Sequence, residues 1–482
     1  MSSKPRSRFG KTKSGRSGVS TQKKLVAGSS LSIDRAARLT PEYRNDFRSP
    51  AQRDYDRIIY SSAFKRLTAV TQVVSPSEGH VFHNRLTHSF RVAQVGRRIA
   101  QKLLHTETNK VDEAGGLDAD VVEAAAVAHD LGHPPFGHVG EQELRKQLEA
   151  PPNLVWDGFE GNAQSFRIVT KLALRSPSVP GLNLTRATLN AMLKYPWTRQ
   201  SEGDKAEKYG VYQSDDADFK FAREYSRDDK KSLEAEIMDW ADDITYAVHD
   251  AEDFYRARLI PLDRLASSKD DSERTRFFDG MYQRTAMVKK LGKTPRPQLE
   301  EEFLSVITTF PISEPYTGTR DQRSRLRDFS SFLIGKYVDA FTLNVRTSKN
   351  DVVEIVARTR REVSLLKALT WFYVIYNPAL ATQQFAQRKI IAELFEIFLE
   401  AATSGKEEGL NIFPFAFRDD ARDLKDKIQP AKRVLADMLS SMGDRELVRL
   451  HHRMAGVSLG SILTYAWLQS LLVGRFGILS RT

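Results

Sequence analysis

The chain has 482 residues, of which 40% are apolar and 28% charged, and it contains no cysteine. These fractions are typical of a soluble globular protein, and the length exceeds what one compact core usually accommodates, so we expect two helical lobes. The lack of cysteine excludes disulfides and thiolate metal sites, and it agrees with a reducing, cytoplasmic location.

Most of the net charge of +11 lies at the amino terminus. Residues 1–33 contain eight lysines and arginines, nine serines and no acidic residue, whereas the rest of the chain carries only +3. A segment this basic and this poor in apolar residues is expected to form a disordered tail. Its composition also resembles an organellar transit peptide, but we favour a solvated arm or one that contacts single-stranded nucleic acid.

The first part of the globular region combines a short β signal with an amphipathic helix. Residues 70–74 and 81–82 flank the turn sequence SPSEGH, which predicts a small hairpin. Residues 82–103 then repeat apolar side chains at helical spacing, from Val92 to Leu103. His88 lies near the start of this helix, and Arg85 lies about one turn before it on the same face.

The run HDLGHPPFGHVGE, residues 129–141, carries the strongest chemical signal. The preceding VVEAAAVA is a good helix former, and the glycines and prolines that follow predict that this helix ends near His129 and Asp130. A rigid turn then carries His133, His138 and Glu141. Seven of the ten histidines fall between residues 80 and 138. Imidazole beside carboxylate suits a borderline divalent ion, so the sequence predicts a metal site here.

A third helix is predicted over residues 234–257, with polar groups aligned on one face. Asp242, Tyr246 and Asp250 recur every four residues, so they share that face. Acidic residues this deep in an apolar helix are costly without a partner or an ion. Three further acidic residues are interpreted instead as a solvated edge: Asp239, Asp243 and Glu252.

The carboxyl-terminal half has helical periodicity without a recognisable chemical motif. Residues 339–402 read as amphipathic helices interrupted at Asn377–Pro378. The segment Met454–Gly474 has 21 residues without a charge and is long enough to span a bilayer. Its many Ser, Thr, Gln and Gly residues favour a buried helix of the second lobe instead. We therefore divide the chain into a tail (1–33), a metal-binding domain (34–258) and a helical carboxyl-terminal lobe (259–482).

The order of the metal-ligating residue types resembles that of the HD superfamily of metal-dependent phosphohydrolases. The signature is His88, then His129–Asp130, then Asp242. Longer stretches resemble the deoxynucleoside triphosphate triphosphohydrolases, the dGTPase-like family, over roughly residues 31–258. These stretches are DRIIYSSAFKRLTAVTQV (56–73), NRLTHSFRVAQVGR (84–97), HDLGHPPFGHVGE (129–141), GFEGNAQSFRI (158–168), LKYPW (193–197) and MDWADDITYAVHDAED (238–253).

The resemblance implies an all-α HD-domain fold with at most a short β-hairpin, and a homo-oligomer such as a hexamer. It also implies hydrolysis of a dNTP, dGTP being favoured, to a deoxynucleoside and inorganic triphosphate, with one divalent ion, Mn²⁺ or Mg²⁺. The implied metal ligands are His88, His129, Asp130 and Asp242.

The resemblance further assigns roles to residues around this ion. His138 and Glu141 match the hydrolytic pair, and His133 is a candidate for contact with phosphate. Sugar recognition is implied for Gln72, Tyr246 and Asp250. Contacts with the triphosphate are implied for Arg85, Lys194, Tyr195 and Lys208. Asn162 and Gln164 of the GNAQ motif are expected to support the residues that touch the metal.

The sequence departs from the family pattern at two places, and two alternative functions remain open. A histidine of some relatives is replaced here by Phe159, so an extra proton donor is missing, and the charged stretch 198–232 weakens the assignment of Lys208. The chain could be another HD enzyme, such as a nucleotide phosphodiesterase, or a module that senses dNTPs or nucleic acid without catalysis. Gln72, LKYPW and the Asp-Tyr-Asp face argue against the first alternative, and the complete set of ligands with His138 and Glu141 argues against the second.

Overall fold

The computed structural model describes residues 34–42, 45–72, 84–226, 229–284, 291–292, 294–344 and 352–457. The basic tail lies outside these residues, as do most of the hairpin predicted near residues 70–82 and most of the uncharged segment Met454–Gly474. Among the helices that are described, none has the length and apolar character needed to cross a membrane.

The amino-terminal half is built almost entirely from helices. These are α1 Pro50–Ile59, α2 Ser62–Arg66, α3 Arg85–Thr106, α4 Thr108–Glu113, α5 Ala119–Ala128, α6 His138–Glu149, α7 Gly161–Arg167, α8 Arg186–Ala191, α9 Asp204–Glu207, α10 Asp216–Arg223 and α11 Leu233–Arg256. Two 3₁₀ turns and one π-helical turn lie between them, at Leu67–Ala69, Gln213–Asp215 and Ile168–Leu172.

The carboxyl-terminal half adds further helices and one short sheet. The helices are α12 Leu262–Leu265, α13 Ser272–Tyr282, α14 Arg296–Ile307, α15 Arg320–Asp339, α16 Ala357–Leu369, α17 Pro378–Ser404, α18 Glu407–Leu410, α19 Phe415–Arg422, α20 Ile428–Ser440 and α21 Asp444–Met454. A π-helical turn, Thr370–Ile375, follows α16.

The sheet consists of β1, Phe341–Leu343, and β2, Val353–Ile355. The strands are antiparallel, with Phe341 opposite Ile355 and Leu343 opposite Val353. The predicted fold class is confirmed, since the described residues are mostly helical and this hairpin is their sheet. The helical interpretation is wrong for residues 341–343 and 353–355, because three-residue strands are too short to show an alternating pattern.

Helices α3, α5 and α11 form the centre of a large hydrophobic cluster, which we call the first cluster. The long helices α3 and α11 begin at capping side chains, Asn84 accepting from the backbone N–H of Thr87 and Ser232 from that of Ala235. Helix α5 packs between them and is almost wholly buried. Gly96 of α3 permits this close approach, because a Cβ there would lie only 3.0 Å from Val122.

A second hydrophobic cluster joins α6 to the carboxyl-terminal helices. Leu144 and Leu148 of α6 pack with apolar residues of α17, α20 and α21. Phe159 is fully buried and belongs to this cluster, so the residue that departs from some relatives has a packing role. The first cluster continues through α16, so the domain division between residues 258 and 259 falls inside it. That division stays a prediction.

Candidate metal centre and active site

The structure brings the four predicted metal ligands together. His88 lies in the first turn of α3, His129 and Asp130 follow the end of α5, and Asp242 lies in the middle of α11. His88 Nε2 is 3.0 Å from Asp242 Oδ1, and His129 Nε2 is 3.3 Å from Asp130 Oδ1 and 3.7 Å from Asp242 Oδ1. Ligand atoms of His88, His129 and Asp130 all lie within 4.8 Å of one another.

The chemistry of these donors fits a divalent ion. His129 donates from Nδ1 to the carbonyl oxygen of Ala126 over 2.7 Å, which directs the lone pair of Nε2 toward the carboxylates. That Nε2 atom is buried and has no hydrogen-bond partner among the described residues. A buried nitrogen left without a partner is costly unless a ligand occupies its lone pair. Two imidazoles and two carboxylates would complete the protein's share of such a site.

Lys194 compensates the negative charge of this cluster in the structure. Its ammonium lies 2.9 Å from Asp242 Oδ2 and 2.7 Å from Asp239 Oδ1. Burial alone would raise the pKa of Asp242, but Lys194, His88 and His129 outweigh it and hold that pKa well below its ordinary value. Asp242 therefore stays ionised, as a metal ligand must.

A second ion pair orients Asp130. Arg85 is buried, donates from Nη1 to Asp130 Oδ2 over 2.8 Å, and donates from Nε to the carbonyl oxygen of Thr71. His133 Nδ1 lies 3.0 Å from the other oxygen of Asp130. Burial and the positive charge of Arg85 lower the pKa of His133 to about 4, although Asp130 opposes this shift. His133 is therefore neutral at physiological pH.

His138 and Glu141 form the contact expected of a hydrolytic pair. They lie in the first turn of α6, where His138 donates from Nδ1 to Glu141 Oε2 over 3.0 Å. The side chain of Glu141 is only 8% exposed, whereas that of His138 is 54% exposed and accessible to a bound molecule. Burial favours protonation of Glu141, but His138 and Lys208 outweigh it and keep the pKa of Glu141 well below its ordinary value.

Lys208 lies in the site, although its surroundings in the sequence weakened the assignment. Its ammonium is 2.9 Å from Glu141 Oε1 and 2.9 Å from Glu160 Oε1. Sequence reasoning missed Glu160, which is fully buried and caps α7 by accepting from the backbone N–H groups of Asn162 and Ala163. The local sequence offered little signal, because glutamate is not among the residues that usually cap a helix at its amino terminus.

Helix α7 fixes the turn that carries His129. Ser165 accepts from the backbone N–H of Gly132 over 2.8 Å and donates to the carbonyl oxygen of His129 over 2.7 Å. Gln164 instead donates to Asp437 of α20 over 2.8 Å, so it links α7 to the carboxyl-terminal half. Within this helix it is therefore Ser165 that bonds to the backbone around the proposed ligand His129, whereas Gln164 bonds away from it.

Replacing Gly132 by alanine should destabilise the protein by about 2–3 kcal/mol, because the added carbon must displace well-packed backbone. A Cβ at Gly132 would lie 2.2 Å from both the carbonyl oxygen of Gly161 and the nitrogen of Ser165. Urea unfolding measures the change. Gly335→Ala in α15 is the control, since a Cβ there meets nothing within 4 Å and should be neutral or stabilising. Equal effects of both substitutions would contradict this packing.

Tyr246 and Asp250 share the face of α11 that carries Asp242. Asp250 is 5% exposed, and its Oδ2 is buried without a hydrogen-bond partner among the described residues. Burial, with Asp253 and Asp242 nearby, raises the pKa of Asp250 well above its ordinary value. The Lys367 ammonium of α16 lies 5.4 Å from the centre of the Tyr246 ring. This lysine was not identified from the sequence, because no local pattern relates it to α11.

Each of the three acidic residues of α11 that are predicted to form a solvated edge bonds to another side chain, so that prediction is wrong. Lys194 and Lys231 hold Asp239, and although burial opposes them, they lower its pKa to about 2. Lys367 lies 2.5 Å from Asp243 Oδ1. Glu252 accepts a hydrogen bond from Ser330 over 2.7 Å. Distant segments supply these partners, except for Lys231, which lies two residues before α11.

The remaining sequence-predicted residues lie beside the cluster. Gln72 follows Thr71, the acceptor of the Arg85 hydrogen bond, and its Oε1 is buried without a hydrogen-bond partner among the described residues. Tyr195 follows Lys194, and its ring centre is 5.7 Å from that of Trp197. Gln72 and Tyr195 are thus next in the chain to Thr71, which bonds to Arg85, and to Lys194, which bonds to Asp242.

Comparison with known proteins identifies two family models along the chain. Residues 85–247 match the HD domain, and residues 353–453 match the phosphohydrolase-associated domain. The first match contains the four predicted ligands with His138 and Glu141, and the second contains α16, α17 and α20 and all but the last residue of α21.

Similar curated proteins are named deoxyguanosinetriphosphate triphosphohydrolase-like protein. The one from Streptomyces coelicolor is 36% identical over 440 residues, which cover 87% of this chain and 96% of the relative. The one from Corynebacterium efficiens is 33% identical, with 86% and 93% covered. The one from Bifidobacterium longum is 30% identical, with 84% and 82% covered.

Proposed function

Because this chain belongs to the deoxyguanosinetriphosphate triphosphohydrolase-like family of metal-dependent HD phosphohydrolases, we propose that it hydrolyses dNTPs to deoxynucleoside and inorganic triphosphate. dGTP is the first substrate to test. The observation that carries the proposal is the unpartnered Nε2 of His129 among carboxylates, together with the accessible His138, which Glu141 holds and whose ring centre lies 5.7 Å from that of His133.

His88, His129, Asp130 and Asp242 would hold one divalent ion, Mn²⁺ or Mg²⁺. When bound, such an ion polarises phosphoryl oxygens and makes a water molecule more acidic. The ion would take over the charge compensation that Lys194 supplies to Asp242, leaving the ammonium available for phosphate. Lys208, Arg85 and Tyr195 are the other proposed phosphate contacts, and a triphosphate needs several such cations.

The proposed proton transfer uses His138. Glu141 fixes its Nδ1, so the other ring nitrogen is free to hold a proton at the attacked phosphate or at the leaving 5′ oxygen. Glu141 stays ionised and stabilises the protonated ring. His133 remains neutral, because its burial disfavours a charge. Its neutral ring is proposed to contact phosphate.

Sugar recognition is proposed for Gln72, Tyr246 and Asp250. The phenol and the carboxylate lie one and two turns beyond Asp242 on the same face of α11. A deoxyribose leaving from a phosphate beside Asp242 would pass over the Tyr246 ring and reach Asp250 with its 3′-hydroxyl. The unpartnered oxygens of Gln72 and Asp250 support this placement, since both need a partner.

The direct test incubates the purified full chain with each dNTP, singly and mixed, in the presence of Mg²⁺ or Mn²⁺. Ion-exchange chromatography should resolve a deoxynucleoside and intact triphosphate as the products. Release of pyrophosphate or monophosphate instead would favour another HD phosphohydrolase, and binding without turnover would favour a sensing module. Oligomeric state, nucleic-acid binding by the tail and cytoplasmic location stay predictions.

The sugar assignment predicts that GTP is a poor substrate compared with dGTP. Tyr246→Ala should relax this discrimination more than it weakens metal binding, because the substitution opens space beneath C2′ of the sugar. The measurement is kcat/KM for both nucleotides, with Tyr60→Ala, at a tyrosine that is 74% exposed, as the matched control. A wild-type protein that hydrolyses GTP and dGTP equally well would not read deoxyribose, and the assignment would fail.

A further inference from the structure

Asp444, the first residue of α21, reaches from the carboxyl-terminal half to both segments that flank the metal ligands. We propose that Asp444 is a positioning residue of the active site. Its side chain is buried, at 5% exposed. Oδ1 accepts from the backbone N–H of Phe136 over 2.9 Å, and Oδ2 accepts from that of Thr71 over 3.1 Å. The Thr71 hydroxyl also donates to Oδ2.

One line of contacts runs from Asp444 to a metal ligand. Thr71 is held at its amide and hydroxyl, and its carbonyl oxygen accepts from Arg85 Nε over 2.9 Å. Arg85 in turn donates to Asp130 Oδ2 over 2.8 Å. Because the guanidinium is a rigid planar fork, the position of Thr71 constrains the orientation of the Asp130 carboxylate. Gln72 follows Thr71 directly, so the same contact constrains the proposed sugar-reading side chain.

The other line of contacts runs to the hydrolytic pair. Phe136 has a φ of 65°, and Gly137 follows with φ 58° and ψ −127°. A left-handed conformation at a phenylalanine is unfavourable and persists only where the surroundings impose it. Asp444 fixes the amide of this residue, and α6 begins two residues later at His138. The carboxylate therefore sets the turn from which His138 projects.

The loop before Asp444 contacts the same turn. Arg66 donates to the carbonyl oxygen of Met442 over 3.1 Å, and it also donates to those of Leu131 and His133 over 2.6 and 2.9 Å. Gly443 packs against Ala69, because a Cβ added at residue 443 would lie 2.7 Å from the Cβ of Ala69. These contacts fix the position of residues 442–444 relative to residues 129–133. They therefore hold Asp444 in place.

The test compares Asp444→Asn and Thr71→Val with a control, Glu446→Gln. Glu446 lies in the same first turn of α21, but its Oε2 accepts locally from the backbone N–H of Gly443 over 3.2 Å, a contact that glutamine retains. Calorimetric titration with Mn²⁺ alone gives metal affinity, and thermal melting gives stability. With the substrate of the wild-type enzyme, kcat and KM are measured separately.

Asp444→Asn should weaken Mn²⁺ binding and lower kcat by about 10–100-fold, the range found for residues that orient metal ligands, while cooperative melting is retained. Thr71→Val should act in the same direction but less, and the double variant should lose less than the product of the two single losses. Glu446→Gln should bind Mn²⁺ as the wild type does.

Wild-type Mn²⁺ affinity and kcat in a folded Asp444→Asn protein would overturn the proposal, as would an equal loss in Glu446→Gln. If Asp444→Asn does not fold, Thr71→Val decides by the same criteria. The inference rests on the proposed metal site, but titration with Mn²⁺ needs no nucleotide. A wild-type protein that binds Mn²⁺ and hydrolyses no dNTP would therefore refute the proposed substrate without affecting this comparison.

Discussion

Replacing His129 and Asp242 together by alanine should abolish metal binding and hydrolysis. Each substitution removes one donor atom that faces the shared centre, and the two remaining side chains, His88 and Asp130, are too few to hold a divalent ion tightly. Elemental analysis of the purified variant, with wild type prepared in parallel, measures the bound metal. Activity on the best wild-type substrate should fall to the level of a blank.

The control for this variant replaces one aspartate and one histidine at exposed positions by alanine. Asp339, at the end of α15, and His452, in α21, are both exposed and far along the chain from the ligands. Their replacement by alanine should leave metal content and turnover unchanged. Because the main variant also deprives the half-buried Lys194 of a partner, its fold is checked by circular dichroism. Full metal occupancy in the folded double variant would show that the proposed ligand set is wrong.

His138→Ala should lower kcat by about 10²-fold or more, the effect expected for a positioned acid or base. The side chain is half exposed and contacts Glu141 rather than the four metal ligands, so metal content should remain that of the wild type. Single-turnover measurements with metal quantified on the same sample separate these two effects. Asp130 and His129 keep all of their described contacts in this variant, whereas His133 loses its ring contact with residue 138.

A histidine outside the site provides the comparison for His138. His105 is exposed in the last turn of α3, and His105→Ala should leave kcat unchanged. If His138→Ala instead lost the ion while turnover per bound ion persisted, His138 would be a ligand and the proposed proton transfer would fail. Glu141→Gln extends the test, because a neutral amide still contacts His138 but no longer stabilises its protonated ring.

The resemblance of the sequence to the HD superfamily supplied the four proposed metal ligands, and each of them lies within a short motif whose local structure is strongly determined. Glycine and proline end α5 directly after His129, and a four-residue spacing places Asp242 and Tyr246 on one face of α11. Such relations depend on a few neighbouring residues. Composition and helical periodicity were likewise sufficient for the fold class.

The partners of these residues could not be identified in the same way. Lys367 meets α11 from another helix more than one hundred residues further along the chain, and Asp444 meets Thr71 over an even longer separation. Asp239 carries no local sign that two lysines will surround it. Whether a charged side chain is solvated or buried depends on which distant helix packs against it, and a single sequence does not encode that pairing locally.

Helix α6 and the metal ligands are supported by different hydrophobic clusters. The ligands project from α3, α5 and α11 of the first cluster, whereas α6, which begins at His138, buries Leu144 and Leu148 in the second. Local opening of the second cluster, which also holds α21, would displace the proposed acid–base pair and withdraw Asp444, while the helices that carry the proposed ligands stay packed. Mild heating or denaturant that opens the second cluster would then abolish turnover and weaken binding of the ion before the first cluster unfolds.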